Sequence, residues 1–159
     1  MAGTLYLIPN SLGPGSLESV IPEPVRVKTA SLGCFIAENA KTARAFLKTV
    51  AATHPLQTVL QEIRISELNV NTRADELPAL LEPLLQGKDA GLLSEAGVPA
   101  VADPGADLVR LAHQRGITVR PLVGPSSLML ALMASGLNGQ SFAFHGYLPT
   151  DADTRATRI

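Results

Sequence analysis

Residues 90–105 read AGLLSEAGVPAVADPG. The first four form a continuous apolar run of strand length, which fits a strand buried on both faces of a parallel sheet. EAGVPAVA, which follows, is irregular and broken by glycine and proline. Asp103 then supplies an N-cap and Pro104 a first helical position for a helix over Pro104 to Arg115. Leu108, Leu111 and Ala112 fall on its inner face, and Gly116 ends it. Strand, loop and helix in that order are half of a parallel β-α-β unit.

The same alternation continues on both sides. Leu5 to Pro9 is a short apolar run closed by the turn cluster NSLGPGS, as expected of a buried strand feeding a loop. After the proline-broken IPEPV comes a second run, Cys34 to Glu38, and Asn39 caps a helix over NAKTARAFLKTVAAT. Ala43, Phe46, Leu47 and Val50 recur there at helical spacing, and Pro55 stops it. Gln61 to Leu68 alternates Ile63 and Ile65 with polar residues and reads as an edge strand. Residues 73–86 are leucine-rich at helical spacing, although Pro78 and Pro83 oppose one straight helix. Ile117 to Leu122 is a fourth apolar run, and GPSS at 124–127 opens a helix that Gly136 stops. That helix, LMLALMAS, is apolar all round, so it should be sandwiched inside the protein. Ser141 to Phe144 reads as a further strand, and the polar GYLPTDADTRATRI ends without a recognisable cap.

The expected fold class is therefore α/β, with a mostly parallel sheet flanked by helices. The expected organisation is an N-terminal lobe over 1–116 and, over 117–159, the incomplete start of a C-terminal lobe, close to the lower size limit for an independent domain.

Composition narrows the function classes. A chain of 159 residues, 46% hydrophobic and 17% charged, can bury a substantial core. A net charge of -1 gives no global attraction to phosphate, so nucleic acid is neither excluded nor indicated. The single Cys34 and three scattered histidines offer no metal-ligand spacing, and they fit a reducing, cytoplasmic setting with no metal. MAGTLYLIPN lacks a signal-peptide pattern, and LMLALMA at 128–134 is too short to span a bilayer.

Ligands of open parallel sheets lie beyond the carboxyl ends of the strands. Three glycine- or serine-rich loops fall there: NSLGPGS, SEAGVPAVADPG and GPSS. Each also has a purely structural reading, with Gly13 and Gly15 as turn residues and Asp103, Ser126 or Ser127 as caps. Three at like strand ends favour a small-molecule cleft. Glu38 follows Gly15 at about the spacing of a ribose-binding acid, but no GxGxxG is present, and Pro22 and Pro24 interrupt the segment that should receive a pyrophosphate. Neither GK[ST] nor GxSxG occurs, which argues against a P-loop and a serine nucleophile.

The run from 92 to 137, LLSEAGVPAVADPGADLVRLAHQRGITVRPLVGPSSLMLALMASGL, followed by FAFHGYLP, resembles the tetrapyrrole-methylase superfamily of S-adenosylmethionine-dependent methyltransferases. Its nearest branch is the one whose members methylate a cytidine 2'-hydroxyl in small-subunit ribosomal RNA. The resemblance implies a two-lobed homodimeric enzyme with S-adenosylmethionine folded between the lobes. It implies cofactor contacts at Pro9, Gly13, Glu95, Ala96, Gly97, Pro99, Asp103, Pro104, Gly105, Ser126 and Ser127. Acceptor contacts are expected at Glu38, Lys41 and Arg44, which read equally well as a solvated helix start. The acceptor is expected to be RNA, with a tetrapyrrole or another small molecule second and a non-catalytic dimerisation or ligand-sensing module as the rival. Glu38-Asn39-Ala40-Lys41 stands where the ribosomal-RNA branch carries Glu-Asp-Thr-Arg, and Leu12-Gly13-Pro14-Gly15 replaces Ile-Gly-Asn-Leu. These departures bear on the acceptor, and no catalytic base is identified. The second lobe is expected to be truncated.

Overall fold

A computed structural model describes all 159 residues. Five strands, β1 (Thr4–Ile8), β2 (Cys34–Ala37), β3 (Arg64–Glu67), β4 (Ala90–Leu93) and β5 (Thr118–Pro121), form one parallel sheet in the order β3-β2-β4-β1-β5. β4, the opening apolar run, is buried along its length beside β1 and β2. The edge strands β3 and β5 have no fully buried residue, as the alternation in QEIRISEL predicts for β3.

Helices α1 (Leu17–Val20), α2 (Glu23–Ala30) and α3 (Ala40–Ala51) connect strands that step toward the β3 edge. Helices α4 (Leu77–Leu80), α5 (Glu82–Leu85) and α6 (Gly105–Gln114) connect strands that step back toward β5. Right-handed crossovers therefore put the two sets on opposite faces. Side-chain packing follows that division: Ile21, Val25, Phe46 and Leu47 pack with Ile8 and Phe35, while Leu81, Leu84, Leu108 and Ala112 pack with Leu5, Ile36 and Leu92. Neighbouring strand residues such as Leu92 and Leu93 thus serve different cores, which is the two-residue period of a strand. Phe35, Leu47 and Leu108 are almost wholly buried, each contributing about 1.5–3 kcal/mol.

Local differences from the sequence reading have physical causes. The proline-broken stretch at 21–25 opens α2, because Pro24 occupies a first-turn position whose missing N–H leaves no bond unmade. Residues 73–86 contain two four-residue helices, each with a proline in its first turn. α6 starts at Gly105, and Pro104 takes the cap position assigned to Asp103. No strand forms over Ser141 to Phe144. The polar tail instead forms α8 (Ala152–Arg158), capped by the Asp151 carboxylate, which accepts from the Thr154 N–H at 2.7 Å.

The first compact unit runs over Met1–Ser127 and the second over Leu128–Ile159. Residues just beyond the expected division at 116 lie in the first unit because β5 is hydrogen-bonded to β1. α7 (Ser127–Ser135) has no buried residue, and Met133 is 76% exposed, so the expectation of a sandwiched helix is not met. The rest of the second unit is one short helix and irregular chain, which supplies no apolar layer to cover it. No helix is long and apolar enough to cross a membrane.

Candidate functional site

β1 and β2 send the chain to one face of the sheet and β4 sends it to the other. Loops leaving adjacent strands in opposite directions open a crevice at the carboxyl ends. Two of the three loops singled out in the sequence leave from here.

Asn10 joins them. Its N–H donates to the Gly97 carbonyl at 2.8 Å and its carbonyl accepts from the Gly97 N–H at 3.1 Å, making a small antiparallel bridge beyond the parallel strands. Its side-chain Nδ2 donates to the Ser94 and Glu95 carbonyls at 3.3 and 3.2 Å, while Oδ1 accepts from the Ser11 N–H at 2.8 Å. Gly97 makes the bridge at φ 68°, in the left-handed region that favours glycine, and Ser94 Oγ donates to its carbonyl at 2.8 Å. From the far side, Gly124 sits so close to Pro9 that a Cβ there would lie 2.2 Å from the proline ring. The loops after β1, β4 and β5 thus form one interlocked group.

Carboxylates collect beside it. Glu38, at the end of β2, accepts from the Glu95 backbone N–H, yet its carboxyl is held above its ordinary value by burial, then by the charges of Asp103 and Glu95. Glu95 Oε1 accepts from Thr42 Oγ1 at 2.6 Å. Asp103 is raised by burial, against the lowering effect of its backbone donors. None of the three is ion-paired. The crevice therefore carries uncompensated negative charge suited to a cationic group.

The loop between Pro99 and α6 is held in an unusual shape. Ala100 and Ala102 have φ of 64° and 61°, a region alanine seldom adopts. Asp103 stabilises it, with both carboxylate oxygens accepting from the Ala100 N–H at 2.9 Å and Oδ1 also accepting from the Gly105 N–H at 2.8 Å. Its oxygens are occupied within the loop, which makes Asp103 a shaper of the crevice wall.

Pro9, Glu38, Glu95, Gly97 and Asp103 meet through these contacts, and the Pro125 carbonyl before Ser126 and Ser127 lies against Gly97. Pro99 is buried, Ala96 is exposed, and Pro104 and Gly105 begin α6. Gly13 stands in an open part of the first loop. Lys41 and Arg44 are exposed on α3, and Arg44 Nη1 donates only to the Ala40 carbonyl, at 3.4 Å. Asn10 and Thr42 were missed by sequence reasoning. Asn10 carried a signal, since asparagine before a glycine-rich run is a turn former that bonds nearby backbone.

No family model matches the chain. Individual relatives do. The chain is 32% identical over 158 residues to the ribosomal RNA small subunit methyltransferase I of Xylella fastidiosa, covering 99% of itself and 53% of that protein. The protein of the same name from Pseudomonas aeruginosa is 30% identical, at 99% and 52% coverage. The chain is homologous to small-subunit ribosomal RNA methyltransferases. The one from Streptococcus pyogenes serotype M3 matches at 34% identity over 95% of this chain and 48% of its own length. The chain spans about half the length of these methyltransferase relatives, and the matched half includes β1 to β5 and all of the crevice.

Proposed function

We propose that this chain carries the methyl-donor site of an S-adenosylmethionine-dependent methyltransferase of the tetrapyrrole-methylase superfamily, acting on a ribose 2'-hydroxyl of small-subunit ribosomal RNA. The observation that carries this reading is similarity along 99% of the chain to a protein named as a small-subunit ribosomal RNA methyltransferase.

The crevice fits the donor in charge and shape. A sulfonium and an ammonium are both cationic, and Glu38, Glu95 and Asp103 provide negative potential with no paired cation. Ala96 is exposed beside Gly97, so backbone and a short side chain let adenosine approach closely, with the buried Pro9 and Pro99 behind them. Ser126 and Ser127 add hydroxyls from the loop after β5, and Gly13 adds a flexible edge. When bound, S-adenosylmethionine would supply an already activated methyl group, and the residues here would orient the donor and exclude water, while the 2'-hydroxyl proton passes to a base on the enzyme or to solvent. Asp103, Pro104 and Gly105 hold the wall in shape.

The active protein is a homodimer in the cytoplasm. Calorimetric titration with S-adenosylhomocysteine, with NAD and ATP for comparison, tests the donor site; labelled methyl transfer to small-subunit ribosomal RNA tests the reaction. Binding of NAD or ATP in preference to S-adenosylhomocysteine overturns the donor assignment, and the absence of transfer by the full-length protein overturns the activity.

A further inference from the structure

A second opening lies on the α4–α6 side of the sheet. The segment between β3 and α4 forms one wall, with Asn69, Val70 and Thr72, and the start of α6 with the loop before it forms the other, with Ala102, Ala106 and Asp107. The cleft is about 690 Å³, within the roughly 300–1,000 Å³ typical of small-molecule sites. Asp103 lines it too, so the cleft and the crevice share a wall.

Its walls specify the chemistry of an occupant. Val70, 87% exposed, and the two alanines offer apolar surface for the face of a planar ring. Asn69 Oδ1 already accepts from the Asn71 N–H at 3.0 Å, while its Nδ2 has no protein partner. Asp107, whose Oδ1 takes Arg110, keeps Oδ2 to accept from a ring N–H or hydroxyl donor, and with Asp103, which holds the loop behind it, repels phosphate. Cations stand beside the lining instead: Arg73 lies between Thr72 and Ala74, and Arg110 lies one turn beyond Ala106 on α6. Their side chains are 72% and 71% exposed, paired with Asp75 and Asp107 respectively. Exposed pairs of this kind are worth only about 0–1 kcal/mol, so either guanidinium can turn to a phosphate at little loss. Acceptors inside with movable guanidiniums outside match one nucleotide held within a strand.

We propose that this cleft receives a single unstacked nucleotide of a single-stranded RNA segment, its base inward and its flanking phosphates on Arg73 and Arg110. The proposal rests on the RNA methyltransferase reading above and names where that acceptor docks. A base paired in a duplex cannot enter, so unpaired RNA is required.

The test is amide chemical-shift mapping of this chain titrated with a short single-stranded ribo-oligonucleotide, with inorganic phosphate and free nucleosides alongside. Saturable shifts are expected at Asn69, Thr72, Ala102 and Ala106. Ala106→Trp, at an exposed helix position, fills the cleft and should weaken binding at least tenfold; Asn69→Ala is a second, milder probe. Arg73→Ala and Arg110→Ala should each lower the salt dependence of log K by about 0.7. Shifts that avoid the cleft, oligonucleotide binding indifferent to Ala106→Trp, or equal affinity for free nucleosides with no effect of either arginine variant would overturn it. Methyl transfer to RNA with a KM unmoved by Ala106→Trp defeats the cleft and keeps the function. Cleft binding without transfer by the full-length protein does the reverse.

Discussion

Asn10 and Gly97 exchange two backbone hydrogen bonds, of 2.8 and 3.1 Å, that tie the end of β1 to the loop after β4. The Asn10 amide adds two further bonds to carbonyls of the same loop. Asn10→Ala leaves the backbone bridge possible and strips those side-chain bonds, so it should destabilise the chain by about 1–2 kcal/mol. Because the loop carries Glu95 to Gly97, the variant should also weaken S-adenosylhomocysteine at least tenfold. Denaturant unfolding and calorimetry read the two effects; unchanged stability together with unchanged affinity would remove Asn10 from the site.

Gly124 and Pro9 define a second contact of the same group. A methyl group at Gly124 would lie 2.2 Å from both Cβ and Cγ of Pro9, and the proline ring has no rotamer to move away. Gly124→Ala should cost about 1–3 kcal/mol through overpacking and displace the loop that holds Ser126 and Ser127. Chemical denaturation measures the cost. A neutral result would mean that the β1 and β5 loops yield easily and do not form a rigid frame.

The sequence revealed those features whose causes are local. Asn39 beside an amphipathic run predicted α3, and its Oδ1 accepts from Lys41 and Thr42 N–H groups at 2.8 and 3.3 Å. The same grammar, Asp151 with Thr154, produces α8, but without an apolar face it gave no sign of a helix. Pro22 and Pro24 were read as breakers, although proline at a helix start is as favourable as it is harmful inside. Asn10 escaped notice because its partners are 84 and 85 residues away, and no spacing rule reaches that far. Glycine and proline showed where the site lies; which residues join its loops depended on strand order.

Ala100 and Ala102 supply a prediction whose sign reverses with position. Both sit at φ near 60°, where a Cβ is crowded and glycine is not. Ala100→Gly or Ala102→Gly should therefore stabilise the chain by about 0.5 kcal/mol, the relief of strain exceeding the added freedom of the unfolded chain. Ala112→Gly, in the buried middle of α6, should destabilise by about 1 kcal/mol or more. Thermal melts of the three variants decide it, and a lower melting temperature for all three would show that the loop is not strained.

Glu38 links stability to pH and to binding. Burial first, then the carboxylates of Asp103 and Glu95, raise its carboxyl above the ordinary 4.5. A group that holds its proton more tightly when folded favours folding at low pH, and that advantage is lost as pH rises from 4.5 through the raised folded value. Near neutral pH the ionised Glu38 therefore opposes folding. Glu38→Gln removes the charge and keeps an oxygen to accept the Glu95 N–H, so it should melt above the unsubstituted chain near pH 7. Its lead should shrink on acidification and disappear well below 4.5, where both side chains are neutral. Asp103 titrates in both proteins, so the difference between them reports Glu38 together with its coupling to Asp103. A lead independent of pH would assign the effect to packing. If the charge is kept for a cationic ligand, the same variant should bind S-adenosylmethionine less tightly near pH 7 as it gains stability, since a site preorganised for a cation carries repulsion until the cation arrives.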